Sequence, residues 1–206
     1  MIVVVDYGVN NVASVVRALA AGGHPATLTA DPALVERAER LVLPGVGHFG
    51  RAARNLADLG LADPIRAVAQ SGRPVFGICL GLQLMFERSE EAENVSGLGL
   101  LPGEVRRFPP GLPVPHVGWA KVESTPEGAA HAAVGPLFRS GPKFFYHVHS
   151  YHPVLARSTD ALGMAEYGEL FPTLVGRDNM LGAQFHPEKS QQDGVALLAA
   201  FAEWRP

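Results

Sequence analysis

Pro74-Val75-Phe76-Gly77-Ile78-Cys79-Leu80-Gly81-Leu82-Gln83 joins an apolar strand to a helix with no loop between them. Val75 to Ile78 lacks alternating polar positions, the pattern of a strand covered on both faces. From Leu80 the spacing predicts a helix running to Glu90. A strand covered on both faces implies a sheet packed between helices, and the upstream sequence has the alternation that such a sheet needs. Ile2–Val5 is a second β-branched strand, ended by Asp6-Tyr7-Gly8. Val12, Val15, Val16 and Leu19 then recur at helical spacing, and Gly22-Gly23 closes the helix. His24–Thr29 and Arg40–Leu43 read as further strands, the latter stopped by Pro44-Gly45. Amphipathic stretches at Ala52–Leu59 and Pro64–Ser71 read as helices.

Downstream of the junction the character changes. Leu98 to Pro115 is rich in Gly and Pro. Short strand candidates follow at Lys143–His149, Ala161–Tyr167, Leu174–Arg177 and Met180–Gln184, and Val195–Trp204 closes the chain as an amphipathic helix. Strands alternating with helices in the first half imply parallel crossovers, and the sheet is read as parallel early and mixed later. The expectation is one α/β domain over residues 1–206, with a mixed, mostly parallel sheet and helices on both faces.

Composition narrows the function classes. Of 206 residues, 47% are hydrophobic and 18% charged, enough apolar material for a sizeable core. A net charge of −3 gives no basic surplus for a nucleic-acid footprint. The apolar runs are too short to span a bilayer, and Met1–Asp6 lacks the basic and apolar regions of a signal peptide. With a single cysteine there is no internal disulfide, and a cytoplasmic location is the default.

That cysteine is the first candidate for chemistry. Gly77 and Gly81 flank Cys79 at −2 and +2, the spacing of a nucleophile elbow in which small neighbours let the backbone turn sharply. A thiolate at a helix N-terminus is favoured by the macrodipole. The Leu80 amide can donate to an oxyanion there. Gln83, four residues on, shares a helix face with the nucleophile. Taken locally, the pattern reads equally well as a buried structural cysteine. Gln184-Phe185-His186-Pro187-Glu188 shifts the balance. Pro187 favours an extended His186, and in an extended segment residues two apart point the same way. Glu188 is then expected to orient His186 as the general base for Cys79.

Together, Gly77-Ile-Cys79-Leu-Gly81-Leu-Gln83 and Gln184-Phe-His186-Pro-Glu188 resemble the signature of the triad, or class I, glutamine amidotransferases. Further segments resemble one branch, the glutaminase subunits of imidazole glycerol phosphate synthases: Asp6-Tyr7-Gly8, Leu43-Pro44-Gly45-Val46-Gly47, Gly97-Leu98-Gly99, Pro115-His116-Val117-Gly118-Trp119, Val148-His149-Ser150-Tyr151 and Glu188-Lys189-Ser190-Gln191. The resemblance covers essentially the whole chain. It implies a flavodoxin-like class I amidotransferase fold and no cofactor. The catalytic residues it implies are Cys79, His186 and Glu188. The oxyanion hole would come from Val46, Gly47 and Leu80. Gln83, Glu91, Ser150 and Tyr151 would contact L-glutamine. The ammonia released would pass to a (β/α)₈-barrel cyclase subunit in a heterodimer, against which Val9, Asn11, Trp119 and Lys189 are expected to lie. Two positions depart from the usual pattern: Asn10 stands where the family has Gly, and Ala120 where it has Asn. Asn10 is expected to keep a positive φ, which asparagine tolerates better than most residues.

Other readings have weaker support. Gly45-Val46-Gly47-His48-Phe49-Gly50 matches a dinucleotide-binding pattern, but no strand ending in an acid follows at the required distance. His147, His149 and His152 resemble a metal cluster without any local acid or thiol to complete it, so no metal is expected. His149 and His152 are read as wall or substrate-loop residues, and Trp119 as an interface anchor in a Gly/Pro-rich loop. A different class I amidotransferase would share the triad but not the Val-Gly-Trp and Glu-Lys-Ser-Gln segments. A non-catalytic interaction module on the same fold would have no need of Cys79 and His186, and a stand-alone cysteine hydrolase would need no partner.

Overall fold

The computed structural model describes all residues, 1–206. The first half contains β1 (Ile2–Val5), α1 (Val12–Ala21), β2 (Ala26–Thr29), α2 (Pro32–Glu36), β3 (Arg40–Leu43), α3 (Phe49–Asp58), α4 (Ala62–Gln70), β4 (Val75–Ile78) and α5 (Leu80–Met85). Then follow β5 (Gly103–Arg107), β6 (His116–Ser124), α6 (Pro126–Ala130), β7 (Lys143–His149), β8 (Tyr151–Leu155), β9 (Ala161–Tyr167), β10 (Glu169–Arg177), β11 (Met180–Ala183) and α7 (Gln191–Glu203). No helix is long and apolar enough to cross a membrane.

Nine strands form one sheet in the order β2-β1-β3-β4-β11-β10-β9-β6-β7. From β2 to β11 every pairing is parallel; from β11 to β7 every pairing is antiparallel. β5 and β8 form a separate antiparallel pair. Alternate residues of the parallel strands point to opposite faces. Val4, Val42, Phe76 and Ile78 pack towards α1 and α7, with Val15, Leu19, Leu197 and Phe201. Val3, Val5, Leu41, Leu43 and Val75 pack on the other face with Val35 of α2, Leu56 of α3 and Ile65 of α4. That two-sided burial explains why these strands have no polar alternation.

Several expected elements change. The helix after Cys79 ends at Met85, not Glu90, because the loop at 97–101 captures its last carbonyls. Leu98 donates to Leu84, and Leu100 and Leu101 both donate to Met85. The Gly/Pro-rich stretch conceals β5 and runs into β6, so Trp119 lies on a strand and not in a loop. Lone strands with little apolar contrast carry no period of their own, and only pairing with β8 and β7 defines them.

Candidate active site

Cys79 occupies the junction of β4 and α5 with φ 52° and ψ −108°, a strained conformation for a residue with a side chain. The two glycines are there for space. A Cβ on Gly81 would sit 1.8 Å from the Leu43 carbonyl oxygen, and one on Gly77 would sit 2.6 Å from the Leu82 Cα. The Cys79 N–H donates to the Ala183 carbonyl at 2.7 Å, which ties the elbow to the end of β11.

β11 leads directly to His186, so adjacent parallel strands deliver the two halves of the site. His186 is extended (φ −102°, ψ 94°), as expected before proline. The segment after it is not extended: Pro187–Lys189 forms one turn of 3₁₀ helix. Lys189 N–H closes that turn onto the His186 carbonyl at 3.0 Å, and the turn brings Glu188 Oε1 to 2.7 Å from His186 Nδ1. Ser190 pins the turn to β7, its hydroxyl accepting from the Tyr146 N–H and donating to the His186 carbonyl. Both side chains are sealed, with 1% of His186 and none of Glu188 exposed.

Burial disfavours charge on His186, but the neighbouring Cys79 sulfur, followed by the Glu188 carboxylate, lifts its pKa to about 10. The Glu188 carboxylate thus favours the protonated imidazole from the Nδ1 side. Nε2 has no hydrogen-bond partner within the protein. The sulfur instead receives an N–H from Gln184 at 3.6 Å. Gln83 fixes that orientation by donating to Gln184 Oε1 and to the Tyr151 carbonyl, each at 3.1 Å. Gln184 was present in the motif with no role attached; nothing in a strand sequence tells which buried amide meets the sulfur.

A cleft of about 580 Å³ opens over the sulfur, lined by Asn11, Val46, Gly47, Cys79, Leu80, Gln83, Glu91, His149, Ser150, Tyr151 and Lys189, among others. The expected oxyanion and glutamine-binding residues thus converge. Glu91 is placed by the Phe49 N–H at the start of α3, 2.6 Å from its carboxylate. One donor is not free: the Leu80 N–H is engaged by the Gly45 carbonyl at 3.4 Å. His149 lines the cleft, whereas His152 faces away and pairs with Glu169 at 3.1 Å. His147 spends both ring nitrogens on the Phe145 carbonyl and the Thr173 hydroxyl.

Of the expected interface residues, Asn11 and Lys189 border the cleft. Trp119 does not line it; it is exposed on β6 with Val117, and with Phe144 of β7 it lines a separate depression that includes Ser190. Lys189 Nζ lies 5.7 Å over the Tyr146 ring, which also meets Trp119 edge to face. Val9 packs partly buried against the α2–α4 core. The positive φ anticipated at Asn10 falls instead on Asn11, at 71°. The departure from Gly is tolerated because position 10 does not need a left-handed backbone; its neighbour takes that conformation.

Comparison with known proteins agrees with this geometry. The family model described as glutamine amidotransferase class-I matches residues 3–203. The chain is 46% identical over 98% of its length to the imidazole glycerol phosphate synthase subunit HisH of Moorella thermoacetica, covering 94% of that protein. It is 47% identical over 96% of its length to the same subunit of Symbiobacterium thermophilum, covering 91% of it. In fold it resembles the solved structure of PurLQS from Thermotoga maritima, with a TM-score of 0.74 at 18% identity, covering 97% of this chain and 96% of that one. A class-I match over nearly the whole chain and relatives this similar at full length lead to one assignment: the chain belongs to the class-I glutamine amidotransferases and, within them, to the HisH family.

Proposed function

We propose that this chain is the glutaminase subunit of an imidazole glycerol phosphate synthase, with Cys79, His186 and Glu188 as its triad. The observation that carries the reading is the strained elbow cysteine beside a buried imidazole held by Glu188 at 2.7 Å. The Cys79 thiolate attacks the side-chain carbonyl carbon of glutamine. His186 gives its proton to the departing nitrogen, releasing ammonia and leaving a thioester. His186, now neutral, takes a proton from water, which attacks the thioester and frees glutamate. Glu188 stabilises the imidazolium in both halves.

The ammonia passes to a (β/α)₈-barrel cyclase bound as a heterodimer. There it enters a phosphoribulosyl-formimino carboxamide ribotide to give imidazole glycerol phosphate and an aminoimidazole carboxamide ribotide, a step of histidine biosynthesis. A docking face is supported by the exposed apolar side chains of Val117 and Trp119 on β6 and Phe144 on β7. The oxyanion loop supports regulation by that partner. Gly45 C=O and Val46 N–H belong to one peptide, so a single rotation would free the Leu80 donor and present a second one. The test is reconstitution with the cyclase: glutamine-dependent formation of imidazole glycerol phosphate by the mixture, and by neither chain alone, is the expected result.

A further inference from the structure

We propose that Asn11 is a positioning residue of the triad, its side-chain amide holding the Glu188 carboxylate in register with His186. The inference rests on the glutaminase reading above and adds a fourth member to the constellation.

Asn11 Nδ2 donates to Glu188 Oε1 at 2.6 Å, across 177 positions of sequence. The same oxygen receives His186 Nδ1 at 2.7 Å. The Glu188 side chain is fully buried, and its other oxygen has no partner. A carboxylate has about four lone-pair sites. Here one oxygen takes both hydrogen bonds, so Asn11 is one of only two donors that stabilise the buried charge. A hydrogen bond to a charged group is the strong kind, and it fixes direction as well as energy.

The backbone of Asn11 points to the same conclusion independently. It is the residue before α1, a position where asparagine ordinarily caps the helix with its own side chain. Its side chain makes no cap bond, and its φ of 71° lies in the left-handed region. The chain accepts a strained backbone and an uncapped helix so that this amide can reach Glu188. Asn11 also borders the substrate cleft, so it joins the triad acid to the cleft mouth.

A purely local role makes a different prediction. Aspartate suits a left-handed residue and a helix cap about as well as asparagine. If Asn11 served only the turn, Asn11→Asp would be benign. If it holds Glu188, the substitution puts a second acceptor and a second negative charge where the donor was. The experiment measures kcat and KM for glutamine in the complete complex, with the cyclase at saturating concentration, for wild type, Asn11→Ala and Asn11→Asp. The rate with ammonium salts in place of glutamine is measured on the same samples. The expected result is a kcat roughly 10-fold lower for Asn11→Ala, the scale of one lost hydrogen bond to a charge, and lower still for Asn11→Asp. KM should stay within about twofold, and the ammonium-driven rate should not change, since neither uses Glu188. Asn11→Asp within twofold of wild type overturns the proposal. An equal loss in the ammonium-driven rate also overturns it, because the defect would then lie in docking. A wild-type complex that releases no glutamate removes the glutaminase reading itself, and this inference with it.

Discussion

The amide of Leu80, first residue after the nucleophile, donates to the carbonyl oxygen of Gly45 at 3.4 Å. The donor best placed to receive a developing oxyanion is thus occupied from the other side of the cleft. The loop is held there closely. Tyr7 donates from its buried hydroxyl to the Pro44 carbonyl, and a Cβ on Gly45 would lie 2.7 Å from that hydroxyl. Only glycine fits at this point, and glycine is also the residue whose peptide turns over most readily.

The isolated chain should therefore bind glutamine but hydrolyse it slowly. Addition of the cyclase with its ribonucleotide ligand should raise glutamate release by roughly 10² or more, since one oxyanion donor is typically worth ~10²–10³ in rate. Steady-state glutamate release with and without partner and ligand measures this. Equal rates in every condition would mean a preformed oxyanion hole and would favour an independent hydrolase.

Cys79→Ala should abolish glutamine hydrolysis, since no other thiol exists in the chain to form the thioester. The same variant in complex with the cyclase should make product from ammonium salts at the wild-type rate. Residual glutaminase activity above background would rule out covalent catalysis through Cys79.

Glu188→Gln keeps the size of the side chain and removes its charge. His186 then loses one of the groups that raise its pKa. An orienting acid contributes less than the base it orients, so the loss in kcat should be smaller than for His186→Ala. Equal inactivity in two folded variants would give Glu188 a larger share of the chemistry than orientation.

Acid should destabilise the protein through its buried histidines. Desolvation by burial holds the pKa of His147 down to about 3, and that of His149 well below the ordinary 6.5. Between 6.5 and about 3 the unfolded chain binds a proton that folded His147 refuses, so stability falls as pH drops through that window. The slope is at most ~1.4 kcal/mol per pH unit for each such histidine. Urea unfolding from pH 7 to 5 should show a shallower decline for His147→Gln than for wild type. Parallel declines would mean that His147 is protonated in the folded state.

Much of this was legible in the residues. The continuous apolar character of Ile2–Val5, Leu41–Leu43 and Val75–Ile78 announced strands buried on both faces. Gly77 and Gly81 announced the elbow, because close backbone approach excludes a Cβ whatever the rest of the fold does. By contrast, β5, β6 and β8 lie in sequence interrupted by Gly and Pro, where strand character comes from the partner strand.

The division for the site follows the range of the forces involved. Residue identity and local spacing were enough to mark Cys79, His186 and Glu188 as candidates, and the family resemblance joined them into the proposed triad. Local spacing could not give the 3₁₀ turn that aligns Glu188, which closes only when Ser190 is pinned to β7. Nor could it give the Asn11 contact to Glu188, the Gln184 contact to sulfur, or the Gly45 carbonyl on the Leu80 amide. Each joins segments far apart in the chain through a hydrogen bond that exists only at contact distance. Pairing of β4 with β3 and β11, and packing of α1 against the Pro187–Lys189 turn, bring those atoms together.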